Sequence, residues 1–132
     1  MKITELLHLH EGFRRLPYED TEGHLTIGVG HNLERPLSTR AIETILEDDI
    51  NEARGELDRI YPKWIHLTET RQNVLIDMCF NMGAPRYQTF KKFWEALRRH
   101  DYNAAATELL DSKWAGQVGE RATRLSKMMR DG

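Results

Sequence analysis

Strand signal is confined to one short stretch of this chain, and that confinement limits the fold more than any other feature. Phe13 to Tyr18 and His24 to Ile27 read as two short strands around Glu19-Asp20-Thr21-Glu22-Gly23, a turn cluster with glycine at its end. Before them, Thr4 to Glu11 reads as a short amphipathic helix, with Leu6, Leu7 and Leu9 apolar and Gly12 able to cap its C-terminus. After them, apolar residues recur at helical spacing. Ser38 is a plausible N-cap for a long helix in which Ala41, Ile42, Ile45, Leu46, Ile50, Ala53 and Leu57 repeat at three- and four-residue steps until Tyr61-Pro62. Thr68 can cap a helix that carries Val74, Leu75, Met78 and Cys79 to Gly83, where Gly83-Ala84-Pro85 stops it. Further helices are expected around Thr89–Arg99 and Tyr102–Leu110 and from about Glu120 to Arg130. The fold class expected is α+β and mostly helical, with a single hairpin near the N-terminus.

At 132 residues and 39% hydrophobic, the chain can build one well-packed domain, with room for a waist between two lobes but not for two full domains. No stretch approaches the apolar length of a membrane span, and Met1-Lys2-Ile3-Thr4-Glu5 lacks the apolar core of a signal peptide, so a cytoplasmic protein is expected. The lone cysteine, Cys79, sits between Met78 and Phe80, where a small buried thiol fits better than a nucleophile. The net charge of −2 hides an asymmetry: residues 1–66 carry 8 Lys+Arg and 13 Asp+Glu, and the remainder 11 and 8. The basic half could attract anionic cell-wall polymers or nucleic acid. Nucleic acid is the poorer fit, because the Glu43–Asp58 helix is strongly acidic and the hairpin is rich in glycine. No nucleic-acid partner is expected.

Glu11, Asp20 and Thr26 bring two carboxylates and a hydroxyl around this hairpin, with Glu11 at a helix end, Asp20 in the turn and Thr26 on the returning strand. Hydrolysis of a glycoside needs one carboxylic acid to protonate the leaving oxygen and a second carboxylate to assist water or stabilise the sugar cation. A threonine hydroxyl can hold that water. Taken singly, each residue has an ordinary explanation: an exposed helix end, a turn former and a strand residue. His31 lacks partners at metal-ligand spacing, and His8 and His10, two apart on a helix, point in different directions. No metal or cofactor is expected.

The joint spacing changes the weight of the three residues. Glu11, eight residues, Asp20, five residues, Thr26, followed by Ile27-Gly28-Val29-Gly30-His31, resembles the phage-type lysozymes, and Cys79-Phe80-Asn81-Met82-Gly83, Ser112-Lys113-Trp114 and Arg121-Ala122 extend the likeness over nearly the whole chain. The resemblance implies a lysozyme-like fold. In it a small hairpin lobe, about residues 13–59, is joined by a long helix to a larger helical lobe, about 60–132, with residues 1–11 packed on the larger lobe and a cleft between the two. It also implies an inverting endolysin-type muramidase that cuts the β-1,4 bond between N-acetylmuramic acid and N-acetylglucosamine in peptidoglycan. In that reading Glu11 is the general acid, Asp20 the base or electrostatic stabiliser, and Thr26 a holder of the attacking water. Gly30, Asn32, Phe80, Asn81 and Glu108 fall where the family contacts the glycan. His31 is expected to pair with Asp48 or Asp49, and Arg121 to lie beside Glu11. A monomer acting on peptidoglycan glycan strands is implied, held in a host cytoplasm until release to the wall. The segment Asn32–Leu37 is short against the larger phage relatives, so a reduced small lobe is expected. The alternatives are a catalytically silent peptidoglycan binder and a small helical DNA-binding domain. Trp94, Tyr102 and Trp114 could stack on sugar rings, though tryptophans in the helices of a small domain are more often core.

Overall fold

A computed structural model describes residues 1–132 and is α+β, with eight α-helices and one three-stranded antiparallel sheet. The chain divides into two compact units, Met1–Ile45 and Leu46–Gly132, and the division falls within the long helix. No helix is long and apolar enough to cross a membrane.

The first unit begins with α1 (Ile3–Glu11), which ends where Gly12 takes φ +78° and returns its N–H to the His8 carbonyl. Strands β1 (Arg14–Glu19), β2 (Leu25–Gly28) and β3 (His31–Asn32) follow in the order β1-β2-β3. Tyr18 pairs with Thr26 and Glu19 with Leu25, while the register shifts between Arg14 and Tyr18. Pro17 lies in that stretch and has no N–H to give to the ladder. The expected hairpin is therefore present, and its second strand is paired again on its other edge, Thr26 to Asn32 and Ile27 to His31. Thr26, a polar residue, is the one buried side chain of this unit. The leucines of α1 stay exposed, Leu9 at 68%.

The long helix α2 (Thr39–Ile60) starts as the sequence suggests, with Ser38 Oγ accepting from the Ala41 amide at 3.1 Å. Of its apolar series, Ala53 and Leu57 are buried, whereas Ile42, Ile45 and Leu46 are about half exposed.

In the second unit a 3₁₀ turn (Pro62–His66) leads into α3 (Glu69–Met82), capped by Thr68 Oγ1 accepting from Arg71 N at 3.2 Å and ended by Gly83 at φ +80°. Then come α4 (Ala84–Tyr87), α5 (Lys91–Arg98), α6 (Tyr102–Leu110), α7 (Lys113–Val118) and α8 (Glu120–Asp131). The hydrophobic core lies here, with α6 packed on α5 and α8, and α3 on α8. Its centre is aromatic: Tyr87 and Trp94 rings lie 4.6 Å apart, and Phe93 meets Trp94 edge-on at 5.2 Å. Cys79 is buried, and burial followed by the charges of Glu56 and Glu52 raises its thiol above the ordinary value, consistent with a packing role.

Candidate active site

The turn between β1 and β2 fixes Asp20 by its own backbone. Oδ1 accepts from the amides of Glu22 at 2.9 Å and His24 at 2.8 Å, the arrangement for which aspartate is favoured in turns. These bonds leave Oδ2 as the oxygen free for chemistry. The His24 amide contributes most to holding Asp20 below the usual carboxylate value; the amides of Glu22 and Gly23 and the His24 charge add to it, and burial opposes it. Asp20 is therefore built to stay ionised.

Thr26 is tied to the same point. The His24 carbonyl accepts both the Asp20 amide and the Thr26 hydroxyl, each at 2.9 Å. Having donated its hydrogen there, Thr26 Oγ1 can only accept from a further partner. The hydroxyl is 3% exposed with its residue, so its direction is set by packing as well as by the bond.

Glu11 is the last residue of α1 and is exposed. Its carboxylate lies against Gly30: a Cβ built there would come within 2.7 Å of Oε2 and 2.8 Å of Cδ. Gly30 also has φ +66°, so glycine is required at that position by conformation and by contact together. The turn from β2 to β3 thereby brings the third member of the expected trio to the sheet. His8, one turn back on α1, has its ring 5.9 Å from that of Phe13, a further link from the helix to the start of β1.

The other expected residues divide. Asn32 Oδ1 accepts from the Glu34 amide at 2.8 Å, which shapes the exit from β3. His31 is exposed on β3, and the histidine that the first unit does pair is His24, whose Nδ1 lies 2.9 Å from Glu34 Oε2. In the second unit Phe80 and Arg121 line one groove of about 280 Å³ with Leu46, Ile50, Ile76 and Asp77. Phe80 is 45% exposed, unlike the tryptophans of this unit. Arg121 meets a carboxylate, and it is that of Asp77, Nε to Oδ1 at 2.8 Å, a partner sequence reasoning missed. Asn81 supports the helical core, where its Oδ1 accepts the indole N–H of buried Trp114 at 2.8 Å. Glu108 lines a different groove, with Lys91, Lys92, Lys113 and Asp111. Trp94 and Trp114 are core residues and offer no face to a sugar, and Tyr102 is half-buried beneath the Arg71 guanidinium, 3.6 Å from its ring centre.

Comparison with known proteins shows the family. The phage lysozyme family profile matches residues 8–130, which include the whole trio and the helical unit. The chain belongs to the phage lysozyme family. Two proteins of Dictyostelium discoideum named probable T4-type lysozyme 2 and probable T4-type lysozyme 1 are 25% and 26% identical to it, each over 98% of this chain and 94% of their own length. The pre-baseplate central spike protein Gp5 of Enterobacteria phage T4 is 26% identical over 100% of this chain, which corresponds to 28% of that larger protein. At the level of the family, the chain is a lysozyme-type glycoside hydrolase.

Proposed function

We propose that this protein hydrolyses the β-1,4 bond between N-acetylmuramic acid and N-acetylglucosamine in peptidoglycan, with inversion at the anomeric carbon. The observation that carries the reading is the fixed pair of acceptors in the hairpin. Asp20 Oδ2 is free, Thr26 Oγ1 has spent its hydrogen on His24, and one carbonyl holds both residues. A water that donates one hydrogen to each acceptor keeps its lone pair for the anomeric carbon. Ionised Asp20 then draws off the proton as the bond forms, while Glu11 protonates the leaving oxygen from the opposite side. Gly30 and Asn32 of the first unit contact the glycan, and Phe80 of the second offers an apolar ring face to a sugar. The protein acts as a monomer on glycan strands and serves as an endolysin.

Two measurements test this. Glu11→Gln keeps the size of the side chain and removes the proton, so clearing of a peptidoglycan suspension should slow by about 10²–10⁴-fold while the melting temperature holds. Analysis of the digest should give a reducing muramic acid end, formed first as the α anomer. A 1,6-anhydro end would instead identify a transglycosylase, and full activity in Glu11→Gln would remove Glu11 from its role.

A further inference from the structure

We propose that His24 is a positioning residue for the reaction, and that the ion pair of its imidazole with Glu34 locks the turn carrying Asp20 and Thr26, making turnover depend on the protonation of this histidine. The inference rests on the function proposed above.

His24 touches the reacting residues through every polar atom of its main chain. Its N–H donates to Asp20 Oδ1 at 2.8 Å, and its carbonyl accepts from the Asp20 amide and the Thr26 hydroxyl, each at 2.9 Å. A shift of this one residue therefore moves the second carboxylate and the water-holding hydroxyl together. Such a residue needs an anchor of its own, because the turn is exposed and the unit has no apolar core to press on it. The anchor is the side chain. Nδ1 lies 2.9 Å from Glu34 Oε2, across the sheet on the segment that leaves β3, and Nε2 lies 3.7 Å from Glu22 Oε2 on the turn itself. Glu34 is set in place in turn by its amide, which donates to Asn32 Oδ1 at 2.8 Å. The chain Asn32, Glu34, His24 thus ties the turn end of the hairpin to the segment that leaves its third strand.

Three acids face the imidazole: Glu34, Glu22 and Asp20. The hydrogen bond to Glu34, followed by the charges of Glu34 and Asp20, raises the histidine above its ordinary value against a smaller effect of burial. The sign follows from linkage. A raised folded value means that the clamp is fully present below the unfolded value and is lost as pH rises through the folded one. Loss of the proton leaves a neutral ring beside a carboxylate, and the turn loosens while the strands stay paired.

The test compares wild type, Glu34→Gln and His24→Gln by kcat and KM on soluble glycan oligomers across pH, with melting temperatures beside them. A ratio of rates cancels every titration that the substitution leaves unshifted, and that of Asp20, which the His24 charge lowers, lies well below the interval in which His24 titrates. The wild-type to Glu34→Gln ratio in kcat should be largest at acid pH and fall towards one as His24 titrates, with KM little changed; the same ratio against His24→Gln should fall over the same interval. The His24 titration, followed by NMR, should move to lower pH in Glu34→Gln. A ratio that stays flat with pH, or a His24 titration unmoved by removing Glu34, overturns the proposal. Absence of glycan hydrolysis in the wild type would instead overturn the function proposed above, and the NMR arm would still report on the clamp.

Discussion

Gly30→Ala isolates what the position of the Glu11 carboxylate is worth, because the structure supplies both its effects and a control for one of them. The new Cβ would stand 2.7 Å from Glu11 Oε2, where ordinary contact begins at 3.4 Å, so the carboxylate must retreat by about 0.7 Å. Misplacing a reacting group by about 1 Å costs on the order of 10² in rate. Turnover should therefore fall roughly ten- to a hundredfold. Separately, a residue with a Cβ at φ +66° costs about 1–2 kcal/mol, or about 3–8 °C in melting temperature for a chain of this size. Gly28→Ala is the control: it has φ +69° and nothing within 4 Å of its would-be Cβ, so it carries the conformational cost without the contact. Both variants should lose similar stability, and only Gly30→Ala should lose most of its kcat in a peptidoglycan clearing assay. Equal activity in the two would refute the argument that Gly30 is there to admit Glu11.

Two further expectations concern groups with other duties. Asn81→Leu removes the acceptor of the buried Trp114 indole, so it should lower stability by about 1–3 kcal/mol in a denaturant titration, whereas Asn81→Asp should retain most of it; an unchanged midpoint in Asn81→Leu would mean that Asn81 serves only the ligand. Asp20 has a depressed folded value, so the stability it confers is present above its unfolded value and is lost as pH falls through the folded one; the melting-temperature difference between wild type and Asp20→Asn should close on acidification, and a difference constant with pH would contradict the turn bonds.

What could be read from the sequence was what depends on neighbours in the chain. Gly12, Ser38, Thr68 and Gly83 each act within one helical turn of their partners, and each caps the helix expected of it. The hairpin was legible for the same reason, through Asp20 and Gly23. The third strand was not, since His31–Asn32 is two residues long and is held only by pairing with β2. Helices α4 and α7, of four and six residues, are too short to show a period. The site divides similarly. Glu11, Asp20 and Thr26 could be picked out by spacing, but the partner of Arg121 stands 44 positions away at Asp77, and that of Trp114 stands 33 away at Asn81. Neither leaves a local mark. Glu34, ten residues from His24, is also unmarked, because an exposed glutamate after a strand is ordinary until the strand's pairing carries it back to the turn.

Backbone geometry distinguishes the two carboxylates, and the distinction supports the roles proposed for them. In the turn, successive amides point inward and two of them converge on Asp20 Oδ1, an arrangement that favours the anion. A carboxylate so held is a poor proton donor and a good acceptor for a water's hydrogen. Under the function proposed above the donor in the pair is Glu11, whose carboxylate rests against a glycine Cα and has no such pair of amides from the turn. The asymmetry costs the protein no buried charge and no metal ligand; it follows from placing one acid inside an aspartate turn and the other at the end of a helix. It also explains why Thr26 is the one residue buried in its unit: an acceptor that must point one way is fixed by burial and by a single bond to the carbonyl that already fixes Asp20.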